Sequence, residues 1–153
     1  ALLDAGALRL LTNKAFSKMK LHEQMVLTPH PGEAADMLKV STQEIQKNRI
    51  ESAKKLQKKY NCIIVLKGQG TIICNKKEMY LCSSGGPELA VAGTGDILSG
   101  VIGSLIAQGL TPLDAAITGV GLHAQAGENF ATEVGRIGLA ASELIPQIRK
   151  LLN

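Results

Sequence analysis

The sequence has few aromatic side chains and only a small excess of positive over negative charge. Its 153 residues include two Phe, two Tyr and no Trp, and 17 Lys plus Arg stand against 13 Asp plus Glu. So few aromatics provide no stacking platform for single-stranded nucleic acid, and the positive surplus is far below that of a dedicated nucleic-acid-binding domain. Nucleic acid is therefore not a predicted partner. The small surplus favours small anionic ligands such as phosphorylated molecules.

No stretch is long and apolar enough to predict a membrane-spanning helix. The most apolar long stretch, residues 97–110, contains Ser99, Ser104 and Gln108 and is shorter than the roughly 20 residues that cross a bilayer. The opening run ALLDAGALRLL has neither the basic region nor the small-residue cleavage site of a signal peptide. We expect no membrane segment, and a chain entered partway through a longer protein.

The cysteines are too few and too irregularly spaced for a disulfide framework or a zinc site. Cys62, Cys74 and Cys82 are odd in number, have no CxxC spacing and lie in apolar, strand-like runs. We therefore expect all three to be buried, reduced thiols and the location to be cytoplasmic. Neither HxxxH nor GxSxG occurs, so the sequence supports neither a zinc site nor a serine nucleophile.

Strand-like and helix-like segments alternate along the chain. Short apolar runs predict strands over residues 1–4, 25–28, 62–67, 71–74 and 79–82. Capping residues and apolar periodicity predict helices from Pro31, from Ser41 through Leu56, over 96–108, from Pro112 to about Phe130 and over about 140–152. This alternation predicts an α/β fold, a doubly wound and mostly parallel sheet with an antiparallel hairpin toward one edge, in one domain.

Two of these helices carry further expectations. The helix over 96–108 is apolar nearly all round, so we expect it to be buried, with Gly109 ending it. The helix after the capping pair Ser41 and Glu44 is expected to be long and to expose a lysine cluster to solvent. That cluster consists of Lys54, Lys55, Lys58 and Lys59.

The strongest functional signal is Gly93-Thr94-Gly95-Asp96 at the start of the apolar helix. Glycines there let backbone N–H groups approach an anion, whose charge the helix dipole also favours. The run is neither a Walker A loop nor GxGxxG. Asp96 would repel a phosphate unless it takes the proton from a hydroxyl that attacks phosphorus. The alternative is an ordinary first-turn acid that complements the helix dipole.

A second motif, Lys67-Gly68-Gln69-Gly70-Thr71, closes the predicted central strand. Ligands gather beyond the carboxyl ends of strands in open α/β sheets, so this turn is expected near the GTGD run if both strands are parallel neighbours. A cation, two glycines and a hydroxyl suit contact with nucleotide phosphate or ribose. A tight hairpin with an exposed Lys67 is equally consistent with the pattern.

A third motif, TPHPGE, follows another predicted strand. His30 and Glu33 are expected to point toward one cleft. The two prolines beside His30 restrict its backbone, which suits a substrate contact, although a lone histidine is more often structural. Glu33 is a candidate for a network of Mg²⁺-bound water. We can name no partner for His22 or His123.

TPHPGE, VLKGQGT and GGPELAVAGTGDILSGVIGSLIAQG, in this order, resemble the NAD(P)H-hydrate dehydratases of the ribokinase-like superfamily. The resemblance covers nearly the whole chain and implies a three-layer ribokinase-like fold, of which residues 1–153 are a C-terminal portion. Hydroxyethylthiazole kinases share TPxxxE and GTGD but usually have Asn where His30 stands. His30 therefore favours the dehydratase.

The resemblance implies a lyase that uses ADP, or ATP, with Mg²⁺ to phosphorylate the S-epimer of hydrated NADH or NADPH, after which loss of phosphate restores NAD(P)H. It implies that Asp96 is the base, that His30 and Asp96 contact the hydrate and that Glu33 helps to place Mg²⁺. The implied nucleotide and phosphoryl contacts are Lys67, Gly68, Gln69, Gly70, Thr71, Gly93, Thr94 and Gly95. It also implies a homotetramer and, in bacterial members, an epimerase domain fused upstream.

The sequence departs from the family pattern at two places. GPELAVA, with Glu88 and Leu89, stands where the family tends to have NPGMAT, and Gly6 stands where the family usually has an acid. Two alternative functions remain open from the sequence. One is a vitamin-precursor kinase of the same superfamily, such as a hydroxyethylthiazole kinase, and the other is a nucleotide-binding fragment without catalysis.

Overall fold

The structure, a computed structural model, describes residues 1–16, 19 and 21–153. Contacts within the chain divide it into two compact units, Ala1–Leu81 and Cys82–Asn153. None of the helices in these described ranges combines the length and the apolar character needed to cross a bilayer.

The described residues of the first unit carry a five-stranded sheet, whose last strand ends at Cys82. The strands lie in the sheet in chain order: β1 (Leu2–Leu3), β2 (Val26–Leu27), β3 (Ile63–Leu66), β4 (Thr71–Cys74) and β5 (Met79–Cys82). β1, β2 and β3 are parallel, and β4 runs antiparallel to β3 with Leu66 opposite Ile72. The predicted α/β class, with a mostly parallel sheet and an antiparallel hairpin, is confirmed.

The burial of the strands matches their positions in the sheet. All four residues of β3 are buried, as expected for a continuous run of branched apolar residues that is covered on both faces. β5, in contrast, lies at the edge, and its Met79, Tyr80 and Leu81 are exposed. The turn between β4 and β5 is closed by the N–H of Asn75, which donates to the carbonyl of Glu78 (3.0 Å).

Four helices connect and cover the described strands of this unit: α1 (Gly6–Thr12), α2 (Pro31–Leu38), α3 (Thr42–Lys47) and α4 (Arg49–Tyr60). The prediction of one long helix after Ser41 is wrong, because Asn48 leaves the helical region at φ −130° and ψ 50°. Asparagine favours such breaks because its side chain competes with the helical backbone bonds. The lysine cluster of α4 is exposed, as predicted.

The core of the first unit lies between the sheet and these helices. Its fully buried members include Leu8, Leu27, Met37, Ile45, Leu56, Ile64 and Leu66. Cys62 and Cys74 lie in this core as free thiols, and burial raises the pKa of each to about 11. Cys82 is also free but only half-buried, so the prediction that all three cysteines are buried is wrong for Cys82, which lies at the end of the edge strand.

The second unit is helical, with α5 (Thr94–Ala107), α6 (Pro112–Glu133) and α7 (Leu144–Leu151). α6 begins as predicted, with Pro112 in its first turn and the Thr111 hydroxyl accepting the N–H of Asp114 (3.2 Å). α5 and α6 approach closely at Gly119, where a Cβ atom would lie 2.6 Å from Ile102. A small core around Phe130, Leu139 and Leu144 joins α6 to α7.

The prediction that the apolar helix is buried is wrong for one of its faces. α5 buries Thr94, Leu98, Ile102 and Leu105 on one face, whereas Asp96, Gly100 and Ser104, which share another face at i, i+4 and i+8, are exposed. The difference arises because small residues raise the mean hydropathy of a helix without giving a neighbour much to pack against. α5 ends at Ala107, and Gly109 follows with φ +101°, consistent with the predicted stop.

Candidate functional site

The predicted site residues fall in both units. His30, Glu33 and residues 67–71 belong to the first, and Gly93, Thr94, Gly95 and Asp96 belong to the second.

His30 and Glu33 begin α2 together. The His30 Nδ1 accepts the N–H groups of Gly32 (3.0 Å) and Glu33 (3.3 Å), and the Glu33 Oε2 accepts the N–H of His30 (2.8 Å). This reciprocal capping box satisfies backbone donors that a helix start would otherwise leave unpaired. Because Nδ1 accepts these bonds, the proton of the neutral ring lies on Nε2, which is 3.6 Å from Glu33 Oε2.

The exposure of the two side chains differs sharply. The His30 side chain is 53% exposed, whereas that of Glu33 is 7% exposed. Both residues therefore stabilise the start of α2, and the outer face of the His30 ring is the part that remains accessible to a ligand. The two side chains are close together, as expected, and they contact each other at the start of α2.

The turn after β3 is held by an ion pair that the sequence analysis did not predict. The Lys67 Nζ donates to the Asp4 Oδ1 (2.9 Å), and the two side chains are only 18% and 12% exposed. The alternative of a tight hairpin is therefore confirmed, since this turn joins the antiparallel strands β3 and β4, but its exposed Lys67 is wrong. Asp4 follows β1 and Lys67 follows β3, so the carboxyl ends of parallel strands bring them together.

The turn itself has a backbone that requires glycine. Gly68 has φ +132° and Gly70 has φ +68°, which are conformations that L side chains rarely adopt. The Thr71 hydroxyl donates to the carbonyl of Gly68 (3.1 Å) and closes the turn. Gly68 and Gln69 are exposed at its tip.

A further residue supports this turn from α4, and the sequence analysis missed it. The Arg49 guanidinium donates to the carbonyl oxygens of Leu66 (3.1 Å), Lys67 (3.4 Å) and Gly70 (3.0 Å). Its burial lowers the pKa of Arg49. One signal was present in the sequence: a cation in the first turn of a helix opposes the helix dipole, which indicates that the charge has another partner.

In the second unit, the GTGD run begins α5. Gly93 precedes the helix with φ +91°. The Thr94 hydroxyl is shared between the carbonyl oxygens of Leu89 and Val91, each at 2.8 Å. His123, for which the sequence offered no partner, lies 2.9 Å through Nε2 from the carbonyl of Thr94. A carbonyl can only accept, so this Nε2 carries a proton.

These contacts separate the roles of neighbouring residues. Thr94 is buried and holds the turn, whereas Asp96 is exposed in the first turn of α5. Asp96 lies at the border of an open groove of about 340 Å³ between α5 and α7, which Gly100, Ser104, Ile145 and Ile148 also line. The carboxylate of Asp96 is thus accessible to a small molecule, and the amides of the first turn of α5 are near it in sequence and structure.

The loop before α5 is ordered by the residues that depart from the family pattern. Pro87–Leu89 form a single 3-10 turn. Glu88 is 3% exposed, and its Oε1 accepts the N–H of Gly86 (2.7 Å). The N–H of Gly85 donates to Glu128 of α6 (2.9 Å). Two carboxylates therefore pair with backbone amides of this glycine-rich loop.

Within residues 1–16, 19 and 21–153, no group of three or more His, Cys, Asp or Glu side chains forms a metal cluster. Mg²⁺ often binds through one or two carboxylates together with water and substrate phosphates. Glu33, the carboxylate that the sequence analysis associates with Mg²⁺, belongs to no such group of described side chains.

Comparison with known proteins gives a consistent result. A family model described as NAD(P)H-hydrate dehydratase matches residues 1–150. The chain is 43% identical over 152 residues to the bifunctional NAD(P)H-hydrate repair enzyme Nnr of Coxiella burnetii, and the match covers 99% of this chain and 30% of that protein.

Solved structures give the same family and fold. The ADP/ATP-dependent NAD(P)H-hydrate dehydratase of Bacillus subtilis, co-crystallised with ATP/Mg²⁺ and soaked with CoA, superposes with a TM-score of 0.86 at 33% identity, over 99% of this chain and 54% of that one. A ribokinase-like superfamily protein of Enterococcus faecalis superposes with a TM-score of 0.83 at 25% identity, over 99% and 51%. The predicted ribokinase-like fold is confirmed. The chain spans less than a third of the Coxiella protein and about half of each solved chain.

Proposed function

Because this chain belongs to the NAD(P)H-hydrate dehydratase family, we propose that it is part of a lyase that repairs hydrated NADH and NADPH at the expense of ADP or ATP. Residues 1–153 form, in this proposal, the C-terminal portion of one ribokinase-like domain. The observation that carries the proposal is the start of α5, where an accessible Asp96 follows a glycine turn at a helix N-terminus.

The chemistry follows from what each group can do. The hydroxyl oxygen of the S-hydrate attacks the terminal phosphorus of the nucleotide, and its proton passes to the Asp96 carboxylate. The bond from that phosphorus to the bridging oxygen breaks, so AMP leaves when ADP is the donor and ADP leaves when ATP is the donor. The amides of Gly93, Thr94 and Gly95 stabilise the charge on the transferring phosphoryl group, assisted by the dipole of α5. The carbon–oxygen bond of the phosphorylated hydrate then breaks, phosphate leaves, and loss of a proton from the adjacent carbon restores the double bond of NAD(P)H.

The first unit supplies binding groups in this proposal. Residues 67–71 contact the adenine nucleotide, through a turn whose Gly68 and Gln69 are exposed at its tip. The accessible face of the His30 ring contacts the hydrate. Glu33 would help to hold Mg²⁺ through bound water, and the ion would supply positive charge near the transferring phosphoryl group.

Two further features are proposed on the resemblance to the family. The protein is a cytoplasmic homotetramer, which light scattering of the purified full-length protein would test. An epimerase domain precedes this portion, in keeping with the bifunctional name of the Coxiella relative. The full-length sequence decides that point directly.

The test of the proposed activity is a product analysis with the full-length protein. Hydrated NADH is incubated with Mg²⁺ and either ADP or ATP, and the absorbance of reduced nicotinamide is followed together with inorganic phosphate. The proposal requires recovery of NADH and release of one phosphate for each hydrate consumed. A stable phosphorylated alcohol would instead identify a kinase, and nucleotide binding without any product would identify a non-catalytic binder.

A further inference from the structure

The guanidinium of Arg49, in α4, holds the turn of residues 67–71 through several hydrogen bonds at once. It donates to three backbone carbonyl oxygens, those of Leu66, Lys67 and Gly70, and its Nη1 also donates to the Gln46 Oε1 (3.2 Å). A planar guanidinium with five donors suits such a set of acceptors, whereas an ammonium group cannot reach several of them in one geometry.

The bonds to the carbonyl oxygens also determine where the amides of the turn point. No cis peptide bond occurs within residues 1–16 and 21–153, and in a trans peptide the C=O and the following N–H point in opposite directions. Because the Lys67 carbonyl faces Arg49, the N–H of Gly68 faces away from it. The N–H of Lys67 donates to the Pro29 carbonyl (2.9 Å), and Thr71 begins β4, so Gly68 is the residue of the turn whose amide this argument turns outward.

Close packing at Gly68 supports this arrangement independently. A Cβ atom at Gly68 would lie 2.9 Å from the Arg49 Nη1, so the guanidinium lies directly against the backbone of the turn. The glycine is required there both by its φ of +132° and by the approach of Arg49. The side of the turn that faces Arg49 is therefore filled by the guanidinium, whereas Gly68 and Gln69 are exposed.

We propose that Arg49 is a positioning residue for nucleotide binding, which holds the turn of residues 67–71 by its carbonyl oxygens so that the N–H of Gly68 is presented to the phosphates or ribose of ADP or ATP. This inference rests on the proposed function, since it assumes that the turn binds the nucleotide. Backbone N–H groups that a turn directs outward are recurrent donors to anions. Arg49 does not itself contact the nucleotide in this arrangement.

The proposal predicts a selective effect on the nucleotide. In the full-length protein, Arg49→Ala should raise the Kd for ADP, and the KM for ADP, about tenfold, in line with the loss of charge-assisted hydrogen bonds. The KM for the hydrate should change less than twofold. Arg49→Lys should recover only part of the loss, because one ammonium cannot replace the guanidinium at three carbonyl oxygens. Arg9→Ala, which changes an exposed arginine of α1, is the matched control and should bind ADP as the wild type does.

Isothermal titration calorimetry with ADP separates this inference from the proposed function, because it requires no turnover. A folded Arg49→Ala or Arg49→Lys protein that binds ADP as tightly as the wild type would overturn the inference and leave the proposed function intact. An equal rise of both KM values would assign Arg49 a merely structural role and overturn it as well. If Arg49→Ala does not fold, the Arg49→Lys and Gln46→Ala variants carry the same test with smaller expected shifts. A wild-type protein that binds neither ADP nor ATP would contradict the proposed function and this inference together.

Discussion

The turn at residues 67–71 and the turn at residues 93–96 resemble each other in sequence but are supported by different interactions. Both contain two glycines and a threonine. The first is held by charged side chains from distant parts of its unit, Arg49 and the Asp4–Lys67 pair. The second is held by the neutral hydroxyl of Thr94 and by the ring of His123.

The difference follows from where each turn lies in its unit. Residues 93–96 lead directly into a helix, so the dipole of α5 acts on them together with the Thr94 hydroxyl and the His123 ring. Residues 67–71 connect two antiparallel strands, and no helix dipole acts along that turn. Its carbonyl oxygens must be paired by side chains that reach in from other elements. A similar motif therefore does not imply a similar means of support.

The largest effect on stability is expected at the charged turn. Asp4→Asn keeps the shape of the side chain but leaves the largely buried Lys67 ammonium beside a neutral amide, so the free energy of unfolding should fall by about 2 kcal/mol. Urea denaturation measures this change. Glu51→Gln is the control, because Glu51 forms an exposed pair with Lys54 (2.8 Å), and exposed pairs contribute little to stability. Equal losses in the two variants would show that burial of the Asp4–Lys67 pair is not what matters.

A smaller effect is expected at the neutral turn. Thr94→Val replaces the hydroxyl, which donates to two carbonyl oxygens, by a methyl group of similar volume. The free energy of unfolding should fall by about 1 kcal/mol. Thr94→Ser keeps the hydroxyl and should restore most of that loss. The same urea series reports both changes. If Thr94→Val is more damaging than Asp4→Asn, the ranking of charged above neutral support is reversed.

The smallest effect of Asp4→Asn is expected on the reactivity of the cysteines in and beside the strands that flank the charged turn. Burial raises the pKa of Cys62 and Cys74 from 9.0 to about 11, so at pH 8 only about 0.1% of each thiol is ionised in the folded protein. Iodoacetamide should modify the half-buried Cys82 and leave Cys62 and Cys74 intact, as mass spectrometry can show. Asp4→Asn should not change this pattern, because the ion pair supports the turn and not the strands. Rapid labelling of Cys74 in that variant would contradict this division.

The same two thiols predict a loss of stability at high pH. Their pKa is higher in the folded chain than in the unfolded chain, so their contribution is fully present below pH 9 and is lost as the pH rises from about 9 through 11. Thermal unfolding between pH 8 and pH 11 should show this decline. Replacing Cys62 and Cys74 by Ala should reduce the dependence on pH within that window.

The sequence was sufficient for the features that depend on neighbouring residues. The strand of residues 63–66, the turn into α2 at Pro31 and the start of α6 at Thr111 were predicted from local patterns, because apolar runs and capping residues act over a few positions. The break of α3 and α4 at Asn48 was missed, since the apolar periodicity continues across it. The exposed face of α5 was missed because hydropathy does not report what is available to cover a helix.

The supports of the two turns were beyond local patterns. Asp4 lies 63 residues from Lys67, and Arg49 lies 17 to 21 residues from the carbonyl oxygens that it binds. No spacing rule joins such positions, and only the order of the strands brings them together. His123 was likewise without a predicted partner until α6 placed it against the start of α5. The motif residues themselves were evident, whereas the residues that hold them in place were not.

The most direct test of the central claim compares Asp96→Asn with Asp114→Asn in the full-length protein, by following the recovery of NADH absorbance from its hydrate with ADP or ATP and Mg²⁺. Both aspartates are exposed acids in the first turn of a helix. If Asp96 is the base, Asp96→Asn should slow the reaction by about 10²–10⁴-fold while Asp114→Asn remains near the wild-type rate. Equal rates in the two variants would contradict the account and leave Asp96 as an acid that only complements the dipole of its helix.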